Sequence, residues 1–207
     1  MKRAILASLV IAFVLGTAPV LAEDVDAAAR AHATRIAIGV CGSCHGPRGV
    51  SEQPKFPRLA GQNPTYLVSQ LKAFRSQTRG DPDAIAYMWG MSAALEDSTI
   101  DALAQYYSTQ AAGGGRPGDA SLIAKGKDIY DKGIEAVGVP ACVACHGPDA
   151  HGIADFPRLA GQHAQYVLKQ LNSFQSNMRN VAVMHGVAQG LKVEEMKAVA
   201  AYLEAQP

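Results

Sequence analysis

Cys41-Gly-Ser-Cys44-His45 recurs in this chain as Cys142-Val-Ala-Cys145-His146, and no other cysteine occurs in its 207 residues. Two thiols two residues apart, with an imidazole directly after them, form the attachment signature of a c-type haem. The thiols add across the porphyrin vinyl groups as thioethers, and one turn of backbone reaches both. The adjoining imidazole is then delivered to one face of the iron. The spacing assigns Cys41, Cys44, Cys142 and Cys145 to covalent attachment and His45 and His146 to axial ligation. Two covalently bound haem c groups are the expected cofactors.

Two rival uses of the cysteines are weaker. Each pair could close as an internal disulfide, as in redox enzymes, but that leaves the paired histidines unexplained. A four-cysteine zinc site usually separates its pairs by about 15–20 residues, and here nearly the whole of one domain intervenes.

Upstream of the first motif, Lys2 and Arg3 precede an apolar run over 4–15, followed by Gly16, Pro19 and Val20-Leu21-Ala22. This is the pattern of an export signal, cleaved after about Ala22. As a membrane anchor the run is too short, since a spanning helix needs about 18 apolar residues. Export to the periplasm is expected, with 23–207 as the mature chain. Losing Lys2 and Arg3 leaves 17 basic residues against 18 acidic ones. A near-neutral polypeptide of this kind gives no sign of a nucleic-acid partner.

The chain is a duplication. Phe56-Pro-Arg-Leu-Ala-Gly-Gln62 returns as Phe156-Pro-Arg-Leu-Ala-Gly-Gln162, followed in register by Tyr66 and Tyr166, Gln70-Leu71 and Gln170-Leu171, and Phe74 and Phe174. Repetition at this density means two copies of one domain. The boundaries expected are 23–112 and 120–207, joined by a Gly/Pro linker over 113–119. Halves this small build only a limited core unaided, and a haem would serve as the centre of each.

Both copies read as helical. Asn63 and Pro64 are an N-cap and a first-turn proline, opening a helix through Phe74. Ile100, Leu103, Ala104 and Tyr107 recur at helical spacing, as do Met196, Val199, Ala200 and Leu203. Helices over 27–40 and 122–132 lead toward the two haem motifs. The stretches 45–62 and 146–162 are glycine- and proline-rich loops. Gly126 and Tyr130 fit the pattern that lets a first helix cross the last one closely, whereas copy one has no obvious equivalent.

The ligand opposite each histidine decides the chemistry. An open iron permits peroxide or gas chemistry, while a thioether closes the iron and raises its potential. Met88 stands seven residues before Leu95, and Met184 seven before Leu191. Met91 then aligns with Val187, and Met178 with Thr78, so neither of them recurs. Met88 and Met184 are therefore the expected sixth ligands. His185, beside Met184, has no counterpart in copy one and reads as a surface residue. Copy one has four more residues between its arginine and its methionine than copy two, so the two ligand loops differ and two distinct potentials are expected. Trp89 and His185 are candidate tuning residues.

With these features together, the chain resembles the dihaem cytochrome c4 family over nearly the whole mature length. The resemblance implies an all-α architecture of tandem class I cytochrome c domains packed as a pseudo-twofold pair. It implies a periplasmic electron carrier, with possible peripheral membrane association, between a quinol-oxidising complex and a terminal oxidase. By the family match, Pro57 and Pro157 offer carbonyls to His45 and His146, fixing tautomer and ring orientation. Leu59 and Leu159 would pack on the haem, and Arg58 and Arg158 are candidates to pair with propionates. Tyr66 and Tyr166 read as core residues with hydroxyls directed toward haem or backbone. The expected activity is outer-sphere electron transfer, not enzymatic turnover. The alternatives are a haem subunit of a flavoprotein or other dehydrogenase complex, and a dihaem peroxidase-type enzyme, against which the matched methionines speak.

Overall fold

The computed structural model describes residues 22–207, with side chains from residue 27 onward. The export signal read over 1–22 lies outside the described residues, apart from Ala22, which opens the first helix. Among the described residues no helix is long and apolar enough to cross a membrane.

Those residues are all-α, with only two isolated bridges and no strand. Copy one consists of α1 (Ala22–Ile36), α2 (Gly42–His45), α3 (Pro64–Arg75), α4 (Trp89–Ser92) and α5 (Asp97–Ser108). Copy two consists of α6 (Ala120–Lys132), α7 (Val143–His146), α8 (Ala164–Gln175), α9 (Ala182–Gln189) and α10 (Val193–Ala205).

The cap read at Asn63 is present. Its side-chain oxygen accepts from the Tyr66 amide at 3.2 Å, with Pro64 occupying the first turn of α3. The apolar stripes of α5 and α10 are buried, and each buried aliphatic side chain contributes about 1.5–3 kcal/mol. They pack against the first helix of their own copy, α1 or α6. At the α6–α10 crossing, a Cβ on Gly126 would lie 2.0 Å from the Ala198 carbonyl oxygen, so only glycine permits this approach.

Copy one solves the same crossing differently. The α-helix expected through residue 40 stops at Ile36, and Ala37–Cys41 form a π turn that runs directly into the haem motif. Ala33 and Ala37, both fully buried, supply the small surface, and the Tyr107 hydroxyl donates to the Ala37 carbonyl at 3.3 Å. A π turn adds one residue to the helical register and is found mostly at functional sites. Here it turns the chain into the attachment motif without a loop. Copy two instead inserts a loop between α6 and α7, pinned by a bridge between Ile134 and Val139.

The two copies share a buried polar boundary. Gln162 accepts from the Arg58 amide and donates to its carbonyl, both at 2.9 Å. Gln62 does the same to Arg158, at 2.7 and 2.9 Å. His163 replaces the Asn63 cap in copy two. Its imidazole is fully buried, and its Nε2 lies 3.0 Å from the Ser51 carbonyl oxygen of the other copy.

The glycine-rich segment is no free tether. Arg58 donates to the Gly114 carbonyl at 3.0 Å, and the Arg116 amide donates to the Glu204 carbonyl at 2.9 Å. A Cβ on Gly115 would stand 2.3 Å from the Ala205 carbonyl oxygen. The glycines therefore serve close packing along the strap as well as chain flexibility.

Candidate haem-binding sites

Each site begins at a short helix that presents the histidine. α2 and α7 each end at their imidazole, because Gly46 and Gly147 follow at φ 78° and 80° and turn the chain away. His45 Nδ1 lies 2.8 Å from the Pro57 carbonyl oxygen, and His146 Nδ1 lies 3.1 Å from that of Pro157. With Nδ1–H donating to the carbonyl, Nε2 carries the lone pair. Neither Nε2 has a hydrogen-bond partner among the described residues. Burial holds both imidazoles below the ordinary histidine range, against the upward pull of the proline carbonyls. A neutral, oriented imidazole is what an axial ligand requires. Phe56 and Phe156 set their rings edge-on to these imidazoles, with centroids 6.1 and 5.9 Å away.

The four cysteines are free thiols at intermediate depth. Burial pushes the Cys142 thiol up to about 11 and moves Cys41 in the same direction. Among the described residues no group of three or more His, Cys, Asp or Glu side chains is arranged to hold a metal ion. Unbridged thiols beside an imidazole with a free Nε2 fit a covalently attached haem.

The methionines separate by environment. Met88 and Met184 are half-buried, whereas Met91 and Met178 are 57% and 52% exposed. Met184 packs against the same apolar cluster as Cys142, Val143 and Leu159. Met88 closes a second π turn over Ala84–Met88, while Met184 lies on the regular helix α9. The four extra residues of copy one are taken up in this way. The backbone carbonyl of Met178 accepts from the Gly80 amide at 3.1 Å across the boundary between the copies. His185 is also occupied, with Nδ1 2.7 Å from the Phe174 carbonyl oxygen and Nε2 2.9 Å from the Gln189 amide. Trp89 donates its indole N–H to the Arg79 carbonyl at 2.8 Å.

Leu59 and Leu159 pack at the edges of their domain cores. The loop arginines make contacts within the protein. Arg58 is 8% exposed and places Nη1 on the Gly161 carbonyl of the other copy at 2.6 Å, as well as on Gly114. Arg158 donates to the Pro207 carbonyl at 2.6 Å. Both arginines thus join chain segments that lie far apart in sequence, though Arg158 Nε is buried with no hydrogen-bond partner.

The tyrosines also differ from expectation. Where backbone or haem was expected, their hydroxyls meet arginine side chains of the other copy: Tyr66 accepts from Arg179 at 2.7 Å and Tyr166 from Arg79 at 3.2 Å. They belong to a box that sequence reading missed. Arg79 and Arg179 each donate to the side-chain oxygens of both Gln70 and Gln170, all at 2.8 Å. The signal available in the sequence is the recurrence of Gln70 and Arg79 as Gln170 and Arg179, polar residues at one register in both copies. Burial pushes the Tyr66 phenol up, but Arg179 and Arg79 outweigh it and leave the group below its ordinary range.

Fold and sites together define a c-type cytochrome with one haem motif in each of two helical domains. Residues 123–206 match the Cytochrome c family model. The chain is 36% identical over 189 residues to cytochrome c4 of Stutzerimonas stutzeri, covering 86% of this chain and 90% of that one. The solved structure of reduced recombinant cytochrome c4 from Pseudomonas stutzeri superimposes with a TM-score of 0.77 at 35% identity, covering 86% of this chain and 98% of that one. A thiosulfate dehydrogenase electron acceptor from Thiomonas intermedia is 35% identical over 175 residues, covering 81% of this chain and 78% of that one. The chain belongs to the cytochrome c4 family, a family of electron-transfer proteins with two covalently bound haem c groups.

Proposed function

We propose that this protein is a periplasmic dihaem carrier that takes electrons from a respiratory quinol-oxidising complex and delivers them to a terminal acceptor such as an oxidase. The carrying observation is the matched pair of imidazoles, each held through Nδ1 by a proline carbonyl and each free at Nε2. When bound, the haem supplies one-electron oxidation and reduction at its iron.

The chain's own residues restrain that chemistry. Cys41 and Cys44, and Cys142 and Cys145, tether the porphyrins. His45 with Met88, and His146 with Met184, would hold the two irons, and two protein ligands on each would leave no coordination position for a substrate. Pro57 and Pro157 lock the imidazole tautomer. Leu59 and Leu159 exclude water from the pocket walls. The shared glutamine and arginine contacts hold the two domains in one relative orientation, so an electron received at one end can leave from the other.

A second reading has a specific support, the similarity to a thiosulfate dehydrogenase electron acceptor. On that reading the donor is a dehydrogenase subunit and the pathway differs, but the internal work is the same. Stopped-flow mixing of the oxidised holoprotein with a reduced quinol-oxidising complex, and separately with a turning-over thiosulfate dehydrogenase, distinguishes the two. Fast reduction by the first and slow reduction by the second is expected; the reverse order would transfer the protein to the dehydrogenase pathway.

A further inference from the structure

We propose that Asp81 lowers the reduction potential of the N-terminal haem relative to the C-terminal one. This rests on the reading of both domains as low-spin electron carriers. The observation is a break in an otherwise twofold-related pair. Arg79 Nε donates to Asp81 Oδ1 at 2.6 Å. Arg179 Nε, the matching atom of the other copy, is buried with no hydrogen-bond partner.

The rest of the box is symmetric. Both guanidinium groups share the same two glutamine oxygens and each reaches the other copy's tyrosine. Both arginines are nearly fully buried, and so is Asp81, at 2% exposure. Two buried cations are thus faced by one carboxylate, and it is carried by the N-terminal copy, two residues after Arg79. Gln170 Nε2, 3.4 Å from Asp81 Oδ2, adds a second contact. At the same offset after the arginine, copy two carries Val181.

Asp81 also lies on the segment that leads to Met88, and the Arg79 carbonyl anchors Trp89, the next residue after that methionine. The fixed charge is therefore built into the ligand loop of copy one. A buried anion favours the oxidised iron, which carries one more positive charge than the reduced iron, and it acts most strongly on the nearer centre. At an effective dielectric of about 20 and a separation on the order of 10–15 Å, one unit charge changes an equilibrium by on the order of tenfold. For one electron, tenfold corresponds to about 59 mV.

The test is a spectroelectrochemical titration of the dihaem holoprotein, with the N-terminal wave identified as the one that Met88→Ala displaces. Asp81→Asn is expected to raise the N-terminal wave on the order of tenfold (about 59 mV) and to move the C-terminal wave less. Asp81→Glu, which keeps the charge, should leave it near the wild-type position. A gap between the waves that is unchanged in Asp81→Asn, or two waves that shift equally, overturns the inference. If Asp81→Asn does not yield a low-spin protein, Asp81→Ser decides, and an N-terminal wave that moves no more than the C-terminal one counts against it. A wild-type protein without two low-spin haems would instead defeat the carrier reading beneath it.

Discussion

Met88→Ala is expected to convert one of the two haems from low to high spin and to lower its potential by on the order of 0.1–0.3 V, within the roughly 0.8 V that axial ligands span. Met184→Ala should do the same to the other haem. The effect is large because thioether sulfur stabilises the reduced iron, and alanine leaves that coordination position to water. Half-burial of both methionines, against the exposure of Met91 and Met178, supports the assignment. His185 is not free to substitute, since both ring nitrogens are engaged within its own domain. Visible and near-infrared absorption spectra read the result directly. A low-spin spectrum for both haems in Met88→Ala would move the ligand elsewhere in copy one, with Met91 next in line.

The second large effect concerns folding. Gly126→Ala should destabilise the C-terminal domain by about 1–3 kcal/mol, the range of overpacking a close-packed contact. The added carbon would sit 2.0 Å from the Ala198 carbonyl oxygen and 2.8 Å from Tyr202 Cβ, so α6 must lift away from α10. That crossing carries Tyr130, Met196 and Leu203, all essentially inaccessible to solvent. The matching position in copy one is filled by alanines, so enlarging Ala33 to valine should cost less, because α1 already accommodates a Cβ there. Thermal denaturation followed at each haem's own absorption separates the two domains. Equal losses in both variants would show that the close α6–α10 approach is not the limiting contact.

Much of this was legible in the sequence because it depends on local geometry. The haem motifs, the Asn63 cap and the stripes on α5 and α10 each need only a few neighbouring residues to be read. The π turns over Ala37–Cys41 and Ala84–Met88 were not legible, because five residues are too few to show a period distinct from that of an α-helix. Nor were the roles of Arg58, Tyr66 and Arg79, whose partners lie about a hundred positions away in the other copy. Recurrence of Gln62 and Gln70 marked them as needed twice, but a duplicated domain needs residues twice for its haem and for its twin alike. Only three dimensions distinguish the two demands. The glycine strap shows the same limit, since its composition gives flexibility and its contacts give close approach.

Acid–organic extraction of the purified holoprotein, followed by haem quantitation and spectroscopy of the polypeptide, tests the central claim most directly. Two haems per chain should remain with the protein after extraction, both low-spin before it and lost pairwise with the cysteines of each motif. Pigment passing into the organic phase, or a single haem per chain, would contradict it.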